Sequence, residues 1–148
     1  MKRVRARLRD ERGSAVVEFV FLGVLMMVPL IYLVLMLARV QAGAFAVSAA
    51  AREGGRAFVT ASDDGSGAAR ARAAAQLAFE DQRFTSGTQV LLACDGSPCL
   101  RPEGTVEVRT SVKVPLPLIP AFARSVVPLH VTLESRHLAT VDRFREFG

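Results

Sequence analysis

Two cysteines and two histidines are the whole stock of thiol and imidazole ligands in this 148-residue chain. His130 and His137 stand at a separation unlike the His spacing of zinc motifs, so no metal site is expected. A glycine-rich phosphate loop, a nucleophile elbow and an H-E-x-x-H pattern are all missing from the sequence, and Ser125 and Ser135 near His130 are ordinary composition. These gaps point away from an enzyme: no catalytic residue and no cofactor are assigned.

A basic body is missing as well. The formal net charge is +5, yet residues 1–13 alone hold six Lys/Arg against two acids, which leaves 13 bases and 12 acids for the other 135 residues. A nearly neutral body lacks the positive face that a phosphate backbone requires, so nucleic acid is not an expected partner. Nor is there length for two cores. Once the apolar N-terminal run is set aside, roughly 110 residues remain, enough for one small domain.

What the chain does have is a hydrophobic fraction of 51%, and the excess is concentrated. Phe19 to Ala38 is a run of 20 residues without a formal charge, FVFLGVLMMVPLIYLVLMLA, long enough at about 1.5 Å per residue to cross the hydrocarbon core of a bilayer. Thirteen of the 20 are Leu, Ile, Val or Phe, favouring insertion by roughly 4 to 8 kcal/mol, which Gly23 and Pro29 reduce without cancelling. Pro29 should kink the helix, a defect that lipid-embedded helices tolerate when neighbours satisfy the freed carbonyl. Lys2, Arg3, Arg5, Arg7, Arg9 and Arg12 precede the run, and only Arg39 and Arg52 follow it closely. This asymmetry keeps the N-terminus in the cytoplasm and puts the rest outside. A cleaved secretory signal with Ala42-Gly43-Ala44 as its site is the first alternative, opposed by an apolar region too long for a signal. A buried core helix is the second, opposed by the small domain available to cover it.

Glu18 is the unexpected residue, an acid between Ala15-Val16-Val17 and Phe19-Val20-Phe21-Leu22. It lies about 12 Å along the axis from Met26, so headgroup level alone would accommodate its carboxylate. Ionisable residues at the edge of a span are nevertheless costly and often functional.

The string Arg12-Gly13-Ser14-Ala15-Val16-Val17-Glu18-Phe19, a basic leader closed by glycine and followed by an apolar helix, resembles a type IV prepilin processing site. The resemblance implies that a membrane-embedded prepilin peptidase cuts between Gly13 and Ser14, leaving Glu18 as the fifth mature residue. Phe19 matches the aromatic that often follows in the Flp, tight-adherence branch, whereas Tyr32 lies far from Glu18, so the Glu-Tyr pair of many Flp pilins is Glu-Phe here and N-methylation of Ser14 is left open. Cutting would create an α-ammonium on Ser14 one helical turn from the Glu18 carboxylate. In a filament the partner could instead be the amine of a neighbouring subunit, making Glu18 a register pin. The words AAREGGRAF at 50–58 resemble the segment after the membrane helix in TadE-like minor pilins. As a bare helix face, Arg52, Glu53 and Arg56 would contribute only a few tenths of a kcal/mol.

After Arg39 the sequence stays helix-compatible, with Val40, Ala44, Val47 and Ala51 in helical spacing, until Gly54-Gly55 ends or bends the helix. Asp63-Asp64-Gly65-Ser66-Gly67 reads as a turn, with Ser66 the N-cap of a helix from Ala68 to about Gln82 that should lie on a sheet, Leu77 and Phe79 being its large apolar residues. Strands are expected at Thr88–Ala93, Thr105–Val114 and Val126–Ser135, the last two joined by a Pro-rich extended loop at 115–120. Residues 139–147 read as a frayed helix or strand end with Phe144 and Phe147 docked on the domain. Cys94 and Cys99 flank a turn-forming tetrapeptide, so a disulfide is expected in an oxidising exterior, the alternative being two free thiols.

The expected fold is α+β: a long N-terminal transmembrane and stalk helix, then a second helix packed on a small, mainly antiparallel sheet, as in pilins. Residues 1–13 form the cytoplasmic leader, 14–38 the transmembrane helix, 39–60 the stalk continuation and 61–148 the extracytoplasmic domain. The resemblance implies a TadE-like minor pilin or pseudopilin in the cytoplasmic membrane or a surface pilus. Its partners would be the prepilin peptidase, the major pilin and other minor pilins, an inner-membrane assembly platform and membrane lipid. The rival is an uncleaved single-pass envelope protein whose outer domain binds a ligand or wall polymer.

Overall fold

Leucine, alanine, methionine and arginine favour helix, and they recur through the first third of the chain. In the computed structural model one helix, α1, spans Lys2–Val59. The structure describes residues 2–116 and 130–144, with side chains from Ala15 onward. The side chains of Gly13 and Ser14, the Pro-rich loop from 117, the expected strand start at 126–129 and Phe147 lie outside the described residues. The sequence puts the helix start near Ser14, yet the backbone is helical already from Lys2. Gly13, the one weak helix former there, costs only about 1 kcal/mol against alanine.

The chain divides into two compact units, Met1–Ala38 and Arg39–Gly148. In the first, α1 exposes large apolar side chains on every side, from Val16 to Leu37. Among the described residues it is the one helix long and apolar enough to cross a membrane. A helix apolar all round has no polar face to offer water.

In the second unit, α1 buries a stripe made mostly of small residues, Gly43, Ala46, Ala50, Ala51, Gly54 and Gly55, together with Val47 and Phe58. Of the four residues read from spacing, Val47 and Ala51 are buried and Val40 is half-buried, but Ala44 is exposed. A methyl added at Gly43 would lie 2.6 Å from Val114 Cγ2, and one at Gly54 would lie 3.2 Å from the Ala71 carbonyl oxygen. Gly54-Gly55 therefore does not end the helix; it lets neighbouring backbones approach. α1 ends at Val59, where Thr60 Oγ1 donates back to the Arg56 carbonyl at 2.9 Å.

The second helix, α2, spans Asp64–Asp81, four residues earlier than the sequence reading. Its N-cap is Asp63, not Ser66. The Asp63 carboxylate accepts from Ser66 N–H at 2.9 Å, while Ser66 Oγ accepts from Asp63 N–H at 3.3 Å. This reciprocal box satisfies two donors where a serine cap would satisfy one. α2 buries Gly67, Ala71, Ala75, Ala78 and Phe79, whereas Leu77 is exposed. At its far end Arg83 takes a left-handed φ of 61°, and the Arg83 and Phe84 N–H groups donate to the Glu80 and Phe79 carbonyls. That pattern is a Schellman stop, with Phe84 and Phe79 meeting in the core.

Three strands follow: β1 at Thr88–Cys94, β2 at Thr105–Pro115 and β3 at His130–Thr140. They form one antiparallel sheet in the order β1-β2-β3. The fold is α+β, as expected. Strand alternation sends Val106, Val108, Thr110, Val112 and Val114 of β2 into the core. Thr110 fits there because its Oγ1 donates to the Val47 carbonyl at 2.8 Å. β3 runs five residues beyond the expected Ser135, keeping its alternation to Ala139, which is buried. Val141 is buried too, but Phe144 is exposed, its N–H turned back onto the Asp142 carboxylate at 2.8 Å. A local Asx turn there replaces the expected docking.

The sheet has two distinct ends. Register pairs Pro115 with His130 at one end and Thr105 with Thr140 at the other. The first, where Arg39 begins the unit and α2 stops, is the entry end. The second, carrying the cysteine turn and the start of α2, is the far end.

Candidate functional site

Gly13, Ser14, Glu18 and Phe19 all lie on α1. Ser14 and Glu18 are four positions apart, close to one helical turn, so both positions fall on one side of the helix. Glu18 is exposed, and Phe19 is 77% exposed. Cys94 and Cys99 belong to the second unit and form a disulfide, with their Cα atoms 5.4 Å apart.

The cysteine turn is also held by a residue that the sequence offered only as loop. Asp64 accepts from Cys99 N–H at 2.9 Å through one carboxylate oxygen and from Leu100 N–H at 3.0 Å through the other. Its neighbour Asp63 caps α2, and the backbone N–H and hydroxyl of Ser66 hold its carboxyl below the usual carboxylate range. Both acids sit at a helix N-terminus, where negative charge is favoured. The adjacent acids D-D, followed by glycine and a helical run, were the available signal. They do not reveal that the second carboxylate reaches residues 35 and 36 positions away.

At the entry end the equivalent anchor is Arg39, read from sequence only as a flanking charge. Its guanidinium donates to the carbonyls of Gln82 at 3.4 Å and Arg83 at 3.2 Å. It also lies 4.3 Å from the centre of the Phe84 ring. A cation on the last carbonyls of a helix is favoured by the helix dipole, and the aromatic face adds a further attraction.

His130 and His137 are seven residues apart on β3 and so face opposite sides of the sheet. Among the described residues no group of three or more His, Cys, Asp or Glu is placed to hold a metal ion. Every buried side-chain nitrogen or oxygen there has a hydrogen-bond partner. The second unit thus defines an α+β domain without an unsatisfied polar centre among the described residues, joined to a helix of membrane-spanning length. Compared with protein-family models, curated proteins and solved structures, the chain matches none.

Proposed function

We propose that this chain is a TadE-like minor pilin or pseudopilin, processed by a prepilin peptidase between Gly13 and Ser14 and contributing to assembly of a tight-adherence filament. The observation that carries the reading is the continuity of α1. One helix holds the glycine junction, Glu18, the apolar run and the stripe that builds the core of the α+β domain. Such a helix suits lateral stacking of subunits in a membrane, because the apolar surface of its first unit is complete on all sides.

On this reading the residues act by charge and position, not by catalysis. Cleavage frees the Ser14 amine, and the Glu18 carboxylate supplies its counter-charge in an apolar setting. The basic leader stays in the cytoplasm, residues 14–38 span the bilayer and the disulfide-bearing domain lies outside. The chain is then a substrate of the peptidase and a partner of the platform and the other pilins.

Co-expression with a prepilin peptidase, followed by intact-mass measurement of the membrane-extracted protein, tests this directly. The expected product begins at Ser14, and Glu18→Ala should impair assembly more than cleavage. A membrane protein that keeps Arg12-Gly13 in the presence of active peptidase favours the uncleaved envelope protein instead.

A further inference from the structure

The entry end of the second unit carries an open pocket of about 510 Å³. Four segments distant in sequence converge on it. Arg39 comes from α1, Arg83 from the stop of α2, Lys113 from the end of β2 and His130 from the start of β3, with the hydroxyls of Thr85 and Ser86 between them. No carboxylate lines the pocket among the described residues. Two other cations of this unit do have acidic partners, Arg101 with Asp95 and Arg109 with Glu107. Three guanidinium or ammonium groups gathered without a counter-ion form an anion site, and hydroxyls beside them supply the neutral hydrogen bonds that a phosphate also takes.

Two details argue that the cluster is built and not incidental. Arg83 occupies the left-handed position of the Schellman stop, where glycine is the unstrained choice and a side chain is strained. Arg39 is fixed by two carbonyls and an aromatic ring, so its remaining N–H groups are presented without further loss of side-chain freedom.

The position of the pocket selects the ligand. Arg39 directly follows Ala38, the last residue of the apolar run. If that run lies in a bilayer, as the proposed function requires, Arg39 is the first residue past it, and chain continuity ties the pocket that Arg39 lines to the level of the headgroups. We infer that the entry-end pocket binds the phosphate of an anionic phospholipid headgroup, seating the domain on the membrane surface. The inference rests on the membrane reading of α1 but not on cleavage at Gly13.

The test uses the full chain in nanodiscs of phosphatidylcholine, with and without phosphatidylglycerol, read by hydrogen exchange of the backbone amides at 84–88 and 113–114. Phosphatidylglycerol should slow these amides by about tenfold, given the attraction of several basic groups to an anionic surface. Arg83→Gln combined with Lys113→Gln should abolish the slowing, whereas Arg83→Lys with Lys113→Arg should keep it, which separates lost charge from lost folding. Arg70→Gln with Arg72→Gln, on the exposed side of α2, should leave it intact. Equal loss in that control overturns a specific site in favour of general surface attraction. If millimolar inorganic phosphate in phosphatidylcholine discs slows the same amides as strongly, the ligand is a soluble anion and the lipid assignment falls. A chain that enters both kinds of disc without any lipid response overturns this inference alone; one that enters neither overturns the membrane reading with it.

Discussion

At the far end of the sheet Asp64 accepts the amides of Cys99 and Leu100, while at the entry end Arg39 donates to the carbonyls of Gln82 and Arg83. Both side chains tie a terminus of α2 to a segment distant in sequence, and their charges are opposite. The direction of α2 explains the difference. Its N-terminus has free N–H groups and favours an acid; its C-terminus has free carbonyls and favours a base. The helix thereby takes an acid as the anchor of its start and a base as the anchor of its stop, although its own last turn carries the exposed acids Glu80 and Asp81. The two ends also differ in how they resist opening. The far end has a covalent bond, Cys94–Cys99, and the entry end relies on a partly exposed cation and the buried ring of Phe84.

The comparison can be broken most strongly at the far end. Replacing Cys94 and Cys99 with serine removes a short loop closure and should cost about 2 kcal/mol in chemical denaturation, with the entry-end amides little changed in hydrogen exchange. Next comes Asp64→Ala, which leaves the Cys99 and Leu100 amides without their acceptor. A loss of about 1 to 2 kcal/mol is expected, and a loss no larger than a surface substitution would show that the carboxylate anchors nothing. At the entry end Arg83→Gly should raise stability by up to about 1 kcal/mol by removing the left-handed side chain. If it destabilises instead, Arg83 is a structural tether and not a strained anion ligand.

The smallest effect concerns acid. Asp63 has its carboxyl lowered in the folded protein, first by the Ser66 backbone N–H. Its stabilising contribution is therefore full above the ordinary carboxylate value of 3.8 and is lost as pH falls through the lower folded value. Asp63→Asn keeps a cap but cannot titrate there, so its α2 helicity, followed by circular dichroism, should fall less steeply than that of the wild type below pH ~4. Parallel acid curves would remove Asp63 from the account of far-end stability.

Much of the architecture was legible because it rests on local pattern. The apolar run, the helix after the Asp-Asp turn, the three strands and the paired cysteines each announce themselves within a few residues. The misreadings share one cause. Ser66 was a reasonable cap by type, but Asp63 wins because its carboxylate and the Ser66 hydroxyl satisfy each other's backbone donors. Gly54-Gly55 looked like a stop because glycine is a weak helix former, yet packing against Ala71, His137 and Ala139 gives both glycines a use inside α1. Phe144 looked like a core residue by apolarity and is exposed. Asp64 and Arg39 were invisible as anchors, since their partners lie 35 or more residues away.

The order of helix, helix and sheet was set by composition and periodicity, as was the length of the apolar run, because those quantities depend on neighbours along the chain. Tertiary structure decided which small residues of α1 face β2, which acid and which base close the ends of α2, and which cations share the entry-end pocket. Such choices depend on distances across the fold between groups that a linear sequence keeps apart.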